Sequence, residues 1–325
     1  MNKLSFFSSR KRLPFLTVFL SGLFIVLSLS LGIYFGFRDN KKLVEVFEPK
    51  KTSVTPFPLP PTPTIAPYPV NISGVYPSDT VTASGIVIVD VDSGVYLYRK
   101  NDDMKLLPAS TTKILTALVA LDAFKLDDVV VVGKPLLNGQ SIGLTAGEQI
   151  TVENLLYGAL IHSGNDAAYA LAEHYPGGVE AFVSKMNEKA IDLHMMESHF
   201  ANPMGYDDPN QFVTAMDLSR LAVSALHNPV IVKMVAIPQI TISDITHSQY
   251  HRLTNVNQLL GKIPGVAGIK TGWTEEAGEN LVTYVDRDGK KVVLVVLHSR
   301  DRFGDTTKLI DWVYGNFEWQ AVLEK

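Results

Sequence analysis

A proline-rich segment near the N-terminus limits where this chain can build a folded core. Residues 47–71 contain eight prolines and show neither a helical nor a strand period. Because proline lacks an amide donor and has a fixed φ angle, this segment predicts an extended, semi-rigid spacer or a disordered tether. The composition becomes globular from residue 76 and stays so to residue 325. About 250 residues are ample for one domain with a sizeable core.

An uncharged run precedes the spacer. Leu13–Phe37 has 25 residues without a charge, and about 20 apolar residues suffice to cross a bilayer core of about 30 Å. No A-x-A-like cleavage site ends the run, which favours a retained anchor over a secretory signal. The basic residues Lys3, Arg10, Lys11 and Arg12 place the N-terminus in the cytoplasm. The predicted division is residues 1–12 cytoplasmic, 13–37 transmembrane anchor, 38–75 proline-rich extracytoplasmic linker and 76–325 extracytoplasmic folded domain.

The overall composition excludes several classes of protein. The net charge is −4 without a basic patch, so we expect no nucleic-acid partner. The chain has no cysteine, which rules out a disulfide scaffold and a thiolate zinc site. His247 and His251 are four residues apart, but nothing like an H-E-x-x-H motif surrounds them. We therefore expect neither a metal nor a cofactor.

Hydrophobic periodicity predicts strands at both ends of the domain and helices between them. Residues 84–100 are typical of two short strands around a turn, and residues 280–299 of a hairpin of two buried strands. One helix begins at Ser110, and a second follows Thr151, its predicted N-cap. Further helices are predicted over residues 167–174, 180–193 and 306–317. This order indicates an α/β domain with one sheet built from distant segments and a helical insertion.

The stretch LLPASTTKILTALVALD, residues 106–122, places a serine and a lysine three residues apart at the start of an amphipathic helix. An isolated S-x-x-K of this kind is usually a capped helix with a surface lysine. On one helical face, however, Ser110 and Lys113 can also form a nucleophile and its base. A serine hydroxyl needs such a base within hydrogen-bond reach because it is otherwise a poor nucleophile.

Two further short motifs lie in the same domain. S-G-N at residues 163–165 follows the second helix, and K-T-G at residues 270–272 precedes the C-terminal hairpin. Each motif alone is an ordinary turn or strand end. The order S-x-x-K, S-x-N, K-T-G within one domain is a recognised catalytic signature.

With these motifs the chain resembles the serine penicillin-recognising enzymes, and among them the low-molecular-mass D-alanyl-D-alanine carboxypeptidases of peptidase family S11. The resemblance covers residues 76–320 and includes GLTAGEQITVENLLYGALIHSGNDAAYALAEH and GIKTGWTEEAG. It implies a β-lactamase/transpeptidase-like fold, in which an antiparallel sheet is flanked by helices and joined to an all-helical subdomain. The chain departs from the family pattern at Met204, where many relatives have histidine, and at His194, where glycine is usual.

The resemblance implies a catalytic role for three residues. Ser110 is the nucleophile, Lys113 is its base, and Ser163 relays the proton to the leaving amine. Lys113 can act as a base only when neutral, so burial and a second cation must lower its pKa. The resemblance implies that Lys270 supplies this cation.

The same resemblance implies substrate binding by the remaining motif residues. Asn165 holds the acyl-side amide, while Lys270 and the Thr271 hydroxyl attract the substrate's terminal carboxylate. Gly272 belongs to the same substrate-binding strand. The backbone amides of the nucleophile and of Trp273 form the oxyanion hole, where a helix N-terminus adds a favourable field.

The implied function is a serine-type D-Ala-D-Ala carboxypeptidase, anchored in the cell membrane by a single span with its catalytic domain, residues 76–325, outside the cytoplasm. It would remove the terminal D-alanine of peptidoglycan stem pentapeptides through a Ser110 acyl-enzyme, and β-lactam antibiotics would be covalent inhibitors. A DD-endopeptidase acting on peptidoglycan cross-links uses the same residues, and the sequence does not separate the two.

Three other interpretations are less favoured. A class A β-lactamase would carry S-D-N rather than S-G-N and a suitably placed Glu-x-x-x-Asn after Ser163. A catalytically silent penicillin-sensing module would lack at least one of the reactive motif residues, and all are present. A Ser-His-Asp arrangement using His162 lacks a G-x-S-x-G elbow.

Overall fold

The computed structural model describes residues 67–77, 79–136 and 138–321. The strands in these ranges are β1 (Tyr68–Asn71), β2 (Gly85–Asp90), β3 (Tyr96–Lys100), β4 (Val129–Val131), β5 (Gln149–Thr151), β6 (Gln239–Ser243), β7 (Tyr250–Thr254), β8 (Val266–Thr274), β9 (Gly278–Arg287), β10 (Lys290–Ser299) and β11 (Phe317–Gln320). The helices are α1 (Lys113–Ala123), α2 (Val152–Ile161), α3 (Asn165–Glu173), α4 (Gly178–Asp192), α5 (Ala215–Leu226), α6 (Pro229–Val235) and α7 (Arg302–Asn316), and the 3-10 turn Ala109–Thr112 precedes α1.

A five-stranded antiparallel sheet in the order β3-β2-β10-β9-β8 forms the centre of the domain. β2 and β3 come from the start of the domain, whereas β8, β9 and β10 come from its end. β2 pairs with β10 in a register that places Ile88 opposite Leu294. The prediction of one sheet assembled from distant segments is confirmed.

The two faces of the sheet pack against different helices. Val87 of β2 and Val293 of β10 belong to the apolar cluster that includes helices α1 to α6. Ile88 and Leu294, their neighbours along the strands, belong to a second cluster with α7. Because successive side chains of a strand point to opposite faces, a strand buried on both faces reads as a continuous apolar run.

The chain between β3 and β8 forms the predicted insertion. It contains α1 to α6, and it also contains the small hairpins β4–β5 and β6–β7. Thr151 is the N-cap of α2, since its side chain accepts a hydrogen bond from the amide of Asn154. Helix α3 begins at Asn165 rather than at the predicted residue 167, which places that asparagine in the first turn.

The prediction that residues 47–71 contain no strand is wrong for β1. This strand pairs antiparallel with β11, and Pro69 lies opposite Trp319. Proline is tolerated in an edge strand, because its missing amide need not serve a second neighbour. The partner strand lies at the far end of the chain, so a local reading of the sequence could not find it.

The predicted transmembrane anchor, residues 13–37, and its cytoplasmic flank lie outside the described residues. Within the described ranges, no helix combines the length and apolar composition needed to span a bilayer.

Candidate active site

The 3-10 turn Ala109–Thr112 positions Ser110 at the edge of the sheet. Ser110 lies in the 3-10 turn ahead of α1, and Ala109 before it has a left-handed φ of 47°. Gly205 packs so closely against this turn that a Cβ atom there would overlap the Ala109 carbonyl. Side chains three residues apart eclipse each other in 3-10 geometry. The Lys113 Nζ atom accordingly lies 2.8 Å from the Ser110 Oγ atom.

The Nζ atom of Lys113 has two other hydrogen-bond partners. It donates to the Oδ1 atom of Asn165 at 2.7 Å and to the backbone carbonyl of Met204 at 2.6 Å. A neutral lysine amine has only two protons, and these two acceptors engage both of them. In that neutral form the remaining lone pair would be directed at the Ser110 hydroxyl, as a general base requires.

The electrostatic surroundings of Lys113 favour this neutral form. The side chain is fully buried, and burial lowers its pKa well below the ordinary lysine value, with a second contribution from the positive charge of Lys270. The Asp166 carboxylate offsets part of this effect. Desolvation and a like charge both disfavour an ammonium ion.

The second lysine of the site contacts the S-G-N motif. Lys270 on β8 donates to the Ser163 Oγ atom at 2.9 Å and to the carbonyl of Thr271 at 3.0 Å. Ser163 itself has a left-handed φ of 65°, a conformation that few non-glycine residues adopt. Burial, followed by the charge of Arg302, lowers the pKa of Lys270 to about 7.

Asn165 is engaged at both ends of its side-chain amide. Its Oδ1 atom accepts from Lys113, and its Nδ2 atom donates to the carbonyl of Asn138 at 3.0 Å. The expectation that Asn165 also holds a substrate amide stays a prediction.

The three motifs meet at one cleft of about 780 Å³. Lys113 and Lys270 lie buried next to it, and Trp273 stands at its mouth with 63% of its surface exposed. The cleft lining includes the other predicted site residues, Ser110, Ser163, Asn165, Thr271, Gly272 and Trp273. The fold therefore brings together all eight residues selected from the sequence, and their individual roles stay predictions.

Comparison with known proteins identifies the family of the chain. Residues 73–301 match the family described as Peptidase_S11, D-alanyl-D-alanine carboxypeptidase. The chain belongs to peptidase family S11. It is 33% identical over 253 residues to the D-alanyl-D-alanine carboxypeptidase DacF of Bacillus subtilis, covering 75% of this chain and 65% of DacF. The chain thus spans slightly less than two thirds of the length of DacF.

Other S11-like proteins differ in the activity that they are named for. The D-alanyl-D-alanine endopeptidase of Pseudomonas aeruginosa is 36% identical over 241 residues, covering 71% of this chain and 77% of that protein. The crystal structure of the Streptomyces K15 DD-transpeptidase superposes with a TM-score of 0.69 at 32% identity, covering 74% of this chain and 100% of that structure. The β-lactamase/transpeptidase-like fold predicted for this S11 protein is confirmed.

The sequence did not identify Arg302 as part of the S11 site. Its guanidinium lines the cleft and donates to the carbonyl of Gly272 at 2.7 Å. Its Nε atom is buried without a hydrogen-bond partner among the described residues. Arg302 begins α7, some thirty residues after the K-T-G motif, and no short motif surrounds it. Arg302 reaches the site only because the chain folds back toward β8 after the end of β10.

Two alternatives considered from the sequence gain no support from the geometry. The ring nitrogens of His162 lie 2.8 Å from the Nε2 atom of Gln140 and 3.3 Å from the carbonyl of Thr254, and these hydrogen-bond partners do not include Ser110. Within the described ranges, no group of three or more histidine or acidic side chains is arranged to hold a metal ion.

Proposed function

We propose that the protein is a serine-type D-Ala-D-Ala carboxypeptidase that removes the terminal D-alanine of peptidoglycan stem pentapeptides. The observation that carries this proposal is the 2.8 Å contact between Ser110 Oγ and the buried Nζ atom of Lys113. A lysine with a strongly lowered pKa, in contact with a serine hydroxyl at the edge of a cleft, has the features of an activated nucleophile. Membership of family S11 supports the same conclusion.

In the proposed reaction, Lys113 takes the proton of Ser110 as the Oγ atom attacks the carbonyl of the penultimate D-alanine. The backbone amides of Ser110 and Trp273 stabilise the oxyanion. Ser163, which is hydrogen-bonded to Lys270, passes a proton to the nitrogen of the leaving D-alanine as the C–N bond breaks, and the proton taken up by Lys113 then restores the Ser163 hydroxyl. Water then attacks the resulting ester, releasing the shortened peptide and restoring the serine hydroxyl.

Lys270 and Arg302 are the proposed partners of the substrate's terminal carboxylate, whose negative charge would favour the protonated form of Lys270. Lys270 and Arg302 lie close enough for the arginine charge to lower the lysine pKa. Arg302 lines the cleft, and a guanidinium is a strong partner for a carboxylate. The Thr271 hydroxyl lies on the same strand. The carboxylate of a β-lactam antibiotic has the same charge, which fits its proposed role as a covalent inhibitor.

We further propose that the enzyme is held at the cell membrane. The uncharged run 13–37 would be a single span, with residues 1–12 in the cytoplasm and the chain between residue 38 and β1 as the linker to the extracytoplasmic domain. The length of the run and the basic cluster before it support this orientation.

A DD-endopeptidase acting on peptidoglycan cross-links is the second candidate. The relative in Pseudomonas aeruginosa that is named as an endopeptidase supports it. Both activities use the same attack by serine on a D-alanyl bond, and they differ in the leaving group. A direct comparison of release of D-alanine from a pentapeptide with cleavage of a cross-linked dimer distinguishes them.

The proposal is tested by intact-mass analysis of the full chain, purified in detergent, during incubation with benzylpenicillin. We expect a persistent one-to-one adduct, because a DD-peptidase deacylates slowly, and we expect no adduct with Ser110→Ala. Ser224→Ala, which changes a serine on α5 outside the cleft, should retain the adduct. The proposal would be contradicted if the chain without substitutions forms no adduct and leaves penicillin intact. Rapid hydrolysis of penicillin would instead indicate a β-lactamase.

A further inference from the structure

A tyrosine on the wall of the cleft shares an acceptor with the S-x-N asparagine. The Tyr206 hydroxyl donates to the backbone carbonyl of Asn138 at 2.7 Å. The same carbonyl oxygen accepts from the Nδ2 atom of Asn165 at 3.0 Å. A carbonyl oxygen has two lone pairs, so it can serve both donors at once. Tyr206 thereby helps to hold the acceptor that anchors the Asn165 amide.

The orientation of this amide matters for the base. The two ends of an asparagine amide have nearly the same shape, and hydrogen-bond partners decide which end points where. With Nδ2 on the Asn138 carbonyl, the Oδ1 atom faces Lys113 and accepts from it at 2.7 Å. The reversed amide would place an N–H group against the N–H groups of Lys113, and the lysine lone pair would no longer be directed at Ser110.

The loop that supplies the carbonyl lies directly against Asn165. The backbone amide of Asn165 donates to the carbonyl of Gln140 at 2.8 Å. Gly139 has a φ of 73°, and a Cβ atom at this position would lie 2.7 Å from Asn165 Nδ2. A small displacement of residues 138–140 would therefore be transmitted to the asparagine amide.

We propose that Tyr206 is a positioning residue for acylation, acting through the Asn138 carbonyl and the Asn165 amide to direct the lone pair of Lys113 at Ser110. This inference rests on the proposed function of the site. The phenol suits the task as a donor, because burial raises the pKa of Tyr206 and keeps the hydroxyl protonated. Tyr206 makes no bond to substrate in this role.

The test compares Tyr206→Phe with the unmodified full chain in the reaction with benzylpenicillin. Stopped-flow kinetics at several penicillin concentrations separate the initial dissociation constant from the first-order acylation rate constant. Loss of one hydrogen bond that orients the base should lower the acylation rate constant about tenfold. The initial dissociation constant should change less than twofold, since the ring that lines the cleft is retained.

Tyr314→Phe is the matched control. Its hydroxyl also donates to a backbone carbonyl, that of Lys290, at 2.8 Å, on the opposite side of the sheet with α7. We expect this variant to acylate within twofold of the unmodified chain, even if both variants lose similar thermal stability. Equal acylation rate constants for Tyr206→Phe and Tyr314→Phe, or a loss confined to initial binding, would overturn the inference. An unmodified chain that forms no adduct would instead contradict the proposed function, and with it this inference.

Discussion

At the scale of single residues, the site depends on two lysines that are expensive to bury. Lys113 and Lys270 are both buried, and burial is the main cause of the lowered pKa of each. An ammonium ion loses solvation in such a place, so the fold stabilises the neutral amine relative to the charged one. This cost to stability accompanies the lowered pKa that the proposed role of Lys113 as a base near neutral pH requires.

Replacing Lys270 by an apolar residue should increase the stability of the protein and decrease its rate of acylation. We expect Lys270→Met to lose acylation by at least about a hundredfold, yet to be more stable than the unmodified chain at pH 6. The folded pKa of Lys270 is about 7, below the value of about 10.4 in an unfolded chain. Between these values the unfolded state binds more protons, so the unmodified protein gains stability as the pH rises.

The advantage of Lys270→Met should therefore be largest below pH 7 and shrink toward pH 10. Urea unfolding of both proteins at pH 6, 8 and 10 measures it. If the stability difference between the two proteins is constant or grows with pH, then protonation of Lys270 is not the cause of the difference.

At the scale of elements, one carboxylate shapes the loop ahead of the S-G-N motif. Asp166, the second residue of α3, is buried. It accepts from the Ser141 hydroxyl at 2.6 Å and from the amides of Ile142, Gly143 and Leu144, each at 3.0 Å. Because Asp166 follows Asn165 directly, the residue that holds this loop is the neighbour of Asn165 in the sequence.

Removing this carboxylate should be costly. We expect Asp166→Ala to lower the free energy of unfolding by about 3 kcal/mol or more, because several buried donors lose their acceptor together. Asp122→Ala is the control, since Asp122 pairs with Lys189 while half exposed and should cost less than about 1 kcal/mol. Urea denaturation measures both. Similar losses for the two variants would mean that the loop does not depend on Asp166.

At the scale of the whole molecule, the two ends of the folded chain meet in one ribbon. β1 pairs with β11, the Trp319 indole donates to Asp90 at 2.7 Å, and the Trp312 indole donates to the carbonyl of Val75 at 3.0 Å. The aromatic residues of this ribbon continue the cluster between the sheet and α7. Residues 67–75 thus contribute to the stability of the domain.

A chain truncated to begin at residue 72 should be less stable than one that begins at residue 67. The shorter chain lacks β1 and leaves β11 with an unpaired edge. We expect its melting temperature to be lower by about 5 °C, as measured by circular dichroism, with the rate of penicillin acylation unchanged at 25 °C. Equal melting temperatures would show that the ribbon adds nothing to stability.

The sequence by itself determined which residues form the candidate site and the outline of the fold. Ser110, Lys113, Ser163 and Lys270 could be selected because each reactive group lies in a short motif with fixed spacing. The sheet and most helices could be predicted because hydrophobic periodicity is a local property.

Only the tertiary structure decided which groups surround those motifs. Arg302, the Met204 carbonyl and Tyr206 reach the site through long-range packing and belong to no motif, and β1 depends on a partner at the other end of the chain. The lowered pKa of Lys113 depends on burial and on the proximity of Lys270, 157 positions later in the sequence. Contacts of this kind are set by how distant segments pack, which no local pattern in a single sequence records.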